Sequence, residues 1–109
     1  MKDDLQILLK FFDIKSREKR KAAFLAFSKN DINILTEITY NLLSGKVTLS
    51  DNTKAKLKKR ADWIRKFANK NLPLKRKIKL LINHPTVYTQ VFRILLPMAI
   101  DYFQTQTEE

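Results

Sequence analysis

Cysteine is absent from the chain, and glycine nearly so. In 109 residues there is one Gly (Gly45) and three Pro (Pro73, Pro85 and Pro97). Without cysteine there is no disulfide and no thiolate zinc site, and the redox compartment leaves no mark on the sequence. Long stretches free of Gly and Pro favour helices over a sheet, which would need more turns. There is no Gly-rich phosphate loop and no cluster spaced like metal ligands. The single histidine, His84, stands beside Pro85 with no Ser or Cys partner motif, and the acids are scattered without a pair that spacing recommends. These absences point away from an enzyme, a cofactor or a small-molecule substrate. Long apolar runs are also missing. The stretch from Val87 to Phe103 carries Arg93, Pro97 and Asp101, and falls short of the ~20 apolar residues of a membrane span. Residues 1–4 are Met-Lys-Asp-Asp, and the apolar run after them is broken by Lys10 and Asp13, so no signal peptide is expected.

What is abundant is positive charge, and it is segregated. Between Lys54 and Lys79 there are twelve Lys or Arg and one acid, Asp62, a net +11 that equals the net charge of the whole chain. Outside this stretch, bases and acids cancel. Such segregation points to a polyanion as partner, with nucleic acid the leading candidate and the partner expected to be double-stranded DNA or another polyanion; the bland alternative is a solvated surface. Hydrophobic content of 44% suffices for a core, and the length suits one domain. The fold class expected is all-α, a compact bundle of about five or six short helices that includes a basic helical hairpin. Residues 1–104 would form the domain and residues 105–109 a frayed tail.

The helical signals follow in order. Leu5 to Phe12 is dense in apolar residues and reads as a short buried helix. Ser16 can cap a second helix that begins basic (Arg17, Lys19, Arg20, Lys21) and ends apolar at Phe27. Ser28 with Asp31 makes an acidic capping box, and Phe27 with Ile32 has the spacing of a hydrophobic staple. Ile32, Leu35, Ile38 or Thr39, and Leu42 then keep helical spacing until Gly45, placed to end the helix in a left-handed conformation. Val47 and Leu49 lie in a short extended link. Ser50 caps a central helix read as continuous to about Asn69, with Leu57, Ala61, Ile64 and Ala68 as its core stripe. Trp63 and Phe67 flank that stripe. They are either core anchors or platforms for stacking on bases, and their place beside the apolar face favours the core. Pro73 suits the start of the next helix, Leu74 to Ile82, with Leu74, Ile78 and Leu81 inward and Lys75, Arg76, Lys77 and Lys79 outward. The last helix, from Pro85 to Phe103, is apolar almost all round, and Pro97 should kink or divide it.

Two basic amphipathic helices joined by a short link make a hairpin resembling a helix-turn-helix. A groove-reading version would carry Asn, Gln or Ser on its second helix. Lys and Arg dominate here, which suits phosphate contact. The candidate nucleic-acid-binding residues are Lys54, Lys58, Lys59, Arg60, Arg65, Lys66, Lys70, Lys75, Arg76, Lys77 and Lys79. A second reading is a protein-interaction module, such as a minor capsid or scaffolding component. It would use Val91, Ile94, Leu95 and Met98 of the last helix to meet a capsid protein or a second copy. A third reading, membrane activity, ranks last because the basic and apolar features lie in separate segments.

The order of segments resembles a group of small basic proteins of Polinton (Maverick) elements and adintoviruses, adenovirus-like elements of animal genomes. The residues that carry the resemblance are Asn41 to Ser50, with the pattern Asn-Leu-x-x-Gly-x-Val-x-Leu, then Lys54 to Leu57, Ile64 to Lys70, Leu74 to Lys77, Leu80-Leu81 and the apolar tail. Together they span roughly residues 5–100. Where the family carries a Gly-Gly-Phe step before its tail, this chain has Asn83-His84-Pro85, so no role for the tail is carried over. The resemblance implies a late protein of a virus or mobile element. By analogy with the small basic core proteins of adenoviruses, it implies a part in packaging or condensing the genome, in the host nucleus and the virion interior.

Overall fold

A computed structural model describes Leu8 and residues 11–107, with side chains described for Leu8 and residues 12–101. A single 3-10 turn at Phe11–Asp13 precedes six helices: α1 (Arg17–Leu25), α2 (Lys29–Leu43), α3 (Asp51–Lys58), α4 (Ala61–Ala68), α5 (Leu74–Asn83) and α6 (Pro85–Thr107). The described residues contain no strand, so the chain is all-α, a small helical bundle. Of the apolar segment expected as a first helix, only buried Leu8 and the turn at Phe11–Asp13 are described; its remaining residues, 5–7, 9 and 10, lie outside the described residues.

Local chemistry sets most of the helix ends. Ser16 caps α1, its side chain accepting from the Lys19 amide at 3.4 Å. Ser28 and Asp31 form a reciprocal capping box, Asp31 N to Ser28 Oγ at 3.0 Å and Ser28 N to Asp31 Oδ2 at 2.9 Å. Gly45 ends α2 with φ +76°, and the bonds Gly45 N to Leu42 O and Lys46 N to Asn41 O complete a Schellman motif. Ser50 caps α3 through the Thr53 amide at 3.3 Å.

The central helix is divided, which corrects the expectation of one helix to Asn69. Arg60 leaves helical geometry (φ −113°, ψ 17°); its amide bonds tightly back to Leu57 O, and Ile64 N to Arg60 O begins α4. A straight helix would face the core with one stripe and leave the two large rings at its flank. The bend buries Leu57, Trp63, Ile64 and Phe67 together. The Arg60 side chain steadies the corner by donating from Nε to Gln90 Oε1 on α6 at 2.8 Å.

Helix α2 packs against α4, α5 and α6, and α5 packs against α1, α2, α4 and α6. A run of rings crosses the interior from α1 through α6 to α4. Phe24 meets Tyr88 edge-on at 5.1 Å, Tyr88 meets Phe92 at 5.0 Å, Phe92 meets Phe67 at 5.8 Å, and Phe67 stacks on Trp63 at 5.2 Å. Such pairs contribute about 0.5–1.5 kcal/mol each beyond their area burial. Thr36 and Thr39 are buried without loss because their hydroxyls donate to carbonyls of their own helix, Ile32 O at 2.8 Å and Leu35 O at 3.0 Å.

Helix α6 runs unbroken past Pro97. Pro97 and Arg93, whose carbonyl loses its partner, are both exposed, so the freed carbonyl lies on the solvent side of the helix. The helix continues through residues 105–107 of the segment expected as a tail; residues 108–109 lie outside the described residues.

Candidate nucleic-acid interface

Helices α3, α4 and α5 carry the basic stretch. The caps at Ser50 and Pro73 and the bend at Arg60 fix the direction of each. Lys54, Lys56, Lys58 and Lys59 are exposed on and just after α3, Arg65 and Lys66 on α4, Lys70 in the link, and Lys75, Arg76 and Lys79 on α5. Arg60 is half-buried at the bend, engaged with Gln90.

Two of the exposed cations already have partners. Arg65 lies 3.6 Å from Asp62, both well exposed, a pair of little energetic weight. Lys70 bonds to Glu37 at 3.1 Å and sits 4.2 Å over the ring of Tyr40, exposed contacts that join the α4–α5 link to α2.

Lys77 is a correction. Expected to face outward with its neighbours, it is 4% exposed, and its Nζ donates to Thr36 Oγ1 on α2 at 2.8 Å. The ring of Phe67 lies 5.6 Å from the same ammonium. Burial pushes the Lys77 pKa below the ordinary lysine value. The cause is the breadth of the contact. Since α5 is packed by four helices, its buried side is wider than one stripe and takes in Lys77, while Leu74, expected inward, is exposed in the first turn.

Trp63 and Phe67 are core residues, 8% and 0% exposed, and no base can stack on Phe67 there. Trp63 Nε1 donates to Leu80 O at 3.3 Å and ties α4 to α5. Between α4, the link and α5 lies an open cleft of about 440 Å³. Its walls are Lys66 and Asn69 of the α4 end, Leu72 of the link, and Arg76, Lys79, Leu80 and Asn83 of α5. The two asparagines were not singled out from the sequence. Their signal was the α5 spacing of Arg76, Leu80 and Asn83, one helical stripe, but only the angle between the helices makes it one wall of a cleft. Helix α1 also packs on α5, so its exposed Arg17, Lys19 and Lys21 stand on the neighbouring helix.

The second set of candidate residues is divided. Val91 and Leu95 are 0% and 2% exposed, part of the chain's own core, which corrects their placement on a partner-binding surface. The apolar helix packs against α2 and α5 and meets rings of α1 and α4, so much of its hydrophobic circumference is used internally. Ile94 and Met98 are half-buried, and Met98 borders a groove of about 580 Å³ between α2, the link at Val47 and α6.

The described residues contain no group of side chains that could hold a metal ion, and no helix among them is long and apolar enough to cross a membrane. His84 is exposed at the end of α5, and its backbone carbonyl accepts from Tyr88 N. Fold and surface together define a small all-α protein with a basic helical face. No protein-family model, curated protein or solved structure matches the chain.

Proposed function

We propose that this is a non-enzymatic DNA-binding protein that holds double-stranded DNA largely irrespective of sequence, by neutralising its phosphates. The observation that carries the reading is the surface of α3–α5. Ten of the twelve Lys and Arg between Lys54 and Lys79 are exposed, and the acids of the three helices are only Asp51, which opens α3, and Asp62. Exposed lysines on short helices suit contact with a phosphate backbone; the hairpin's exposed face is dominated by Lys and Arg rather than by Asn, Gln or Ser. Each cation that reaches a phosphate releases a condensed counterion, and that release drives association. The resemblance to Polinton and adintovirus proteins supports genome packaging or condensation as the setting, with the nucleus and virion interior as its place.

The alternative, a minor capsid or scaffolding module acting through α6, needs an apolar surface on that helix. With Val91 and Leu95 in the core, only Ile94 and Met98 of the four residues expected there keep partial exposure. The test is charge reversal of Lys58, Lys59, Arg65 and Lys66 to Glu in one chain. Duplex affinity should fall for all sequences alike. Unchanged affinity in a folded variant would refute this assignment of the surface.

A further inference from the structure

We infer that the α4–α5 cleft is a seat for one unpaired nucleotide of a nucleic-acid strand, with phosphate on its cationic rim and base on its floor. The inference rests on the proposed phosphate-binding role of the same face and goes beyond it, because phosphate contact alone needs no cleft. A convex row of lysines, as on α3, suffices for that. The cleft differs from the rest of the basic face in three respects. It is concave, about 440 Å³, within the range of small-ligand sites. Half-buried Leu72 and Leu80 offer apolar surface between the cations. Two carboxamides, Asn69 just after α4 and Asn83 at the end of α5, line the same opening.

The carboxamides are not equivalent. Asn69 Oδ1 already accepts from the Asn71 amide at 2.9 Å, so its free capacity is the NH₂ donor pair. Asn83 is exposed and offers both donor and acceptor. Carboxamide donors and an acceptor lining the same opening as apolar side chains suit the edge and face of a heterocyclic base. Lys66, Arg76 and Lys79 at the rim suit the phosphates on either side of it. A base within an intact duplex is stacked and cannot enter, so the seat takes a nucleotide from a single strand, a frayed end or a distorted step.

The test separates base from phosphate. Binding of the full chain is measured by anisotropy to a fluorescent oligothymidylate and to a strand of equal length and phosphate count that lacks every base. The inference expects about tenfold tighter binding of the base-bearing strand. Asn83→Ala should reduce that ratio severalfold, whereas Lys79→Ala should weaken both strands in step. Equal binding of the two strands, or a ratio that Asn83→Ala leaves unchanged, overturns the seat while the phosphate-binding role stands. Failure to bind either strand overturns the seat, and a duplex of equal phosphate count run beside them decides the phosphate-binding role: loss of duplex binding as well overturns both. Thymidine monophosphate is run as competitor. No displacement is expected at concentrations comparable to the strand; displacement there would make a free nucleotide the occupant and overturn the assignment to a strand. Circular dichroism melts of each variant establish that the loss is not unfolding.

Discussion

The ammonium of Lys77 on α5 donates to the hydroxyl of Thr36 on α2 across 2.8 Å, in the interior of the protein. Among the described residues no carboxylate forms an ion pair with it. The Thr36 hydroxyl donates in turn to Ile32 O, so its hydrogen-bonding needs survive loss of the lysine. A cation buried on a neutral hydroxyl and the face of the Phe67 ring is costly, and burial lowers its pKa. Because the folded value is depressed, the unfolded chain binds the proton more tightly. Stability should therefore rise with pH through the window that ends at the ordinary value of 10.5. Lys77→Met should raise stability by about 1 kcal/mol and flatten this alkaline rise. Urea melts across pH check it; a clear loss of stability would mean that the bond to Thr36 outweighs the desolvation.

Neighbouring residues on α5 should separate cleanly in DNA binding. Arg76→Gln removes an exposed phosphate contact and should lower the salt slope by about one. Lys77→Met should leave both affinity and slope as they are, since the side chain faces α2. A drop in the slope for Lys77→Met would place the ammonium on the DNA instead.

Val91 is fully buried on α6. Val91→Glu should destabilise by roughly 4 kcal/mol or more, most of the stability of a domain near the ~5 kcal/mol lower end of the usual range. Ile94→Glu, at a half-buried position, should cost much less. Circular dichroism and sedimentation decide the matter. A folded, monomeric Val91→Glu variant of a wild-type oligomer would restore α6 as an interface.

Gly45 has φ +76°, and a Cβ built there meets no other atom within 4 Å. Gly45→Ala should therefore cost about 1–2 kcal/mol from backbone conformation alone, and Gly45→Asn less. Thermal melts give the order; equal cost for the two would mean that the turn relaxes out of the left-handed region.

The features legible in the sequence were those fixed within a few residues. Ser16, Ser28 and Ser50 cap helices, and Gly45 ends one, because capping is a matter of four or five consecutive residues. Exposure of Lys58, Lys59, Lys66 and Lys79 was legible for a similar reason, since exposed positions are the ordinary place for lysine. The bend at Arg60 was not, because no Gly or Pro marks it; it arises from the burial of Trp63 and Phe67 against α6. Lys77 was misplaced because helical spacing assigns one buried stripe, whereas α5 is covered from several sides. Pro97 misled in the opposite sense, its lost bond being on the water side of an otherwise buried helix. The cleft needed two helices and the angle between them, and no local pattern encodes that.

The central claim, phosphate neutralisation by the α3–α5 face, is tested most directly by duplex affinity as a function of salt. With about six to ten phosphates engaged, affinity should fall ~10³–10⁵-fold between about 50 and 200 mM salt, with little difference between unrelated duplexes. Affinity that barely changes over that range, or binding no stronger to DNA than to heparin, would contradict it.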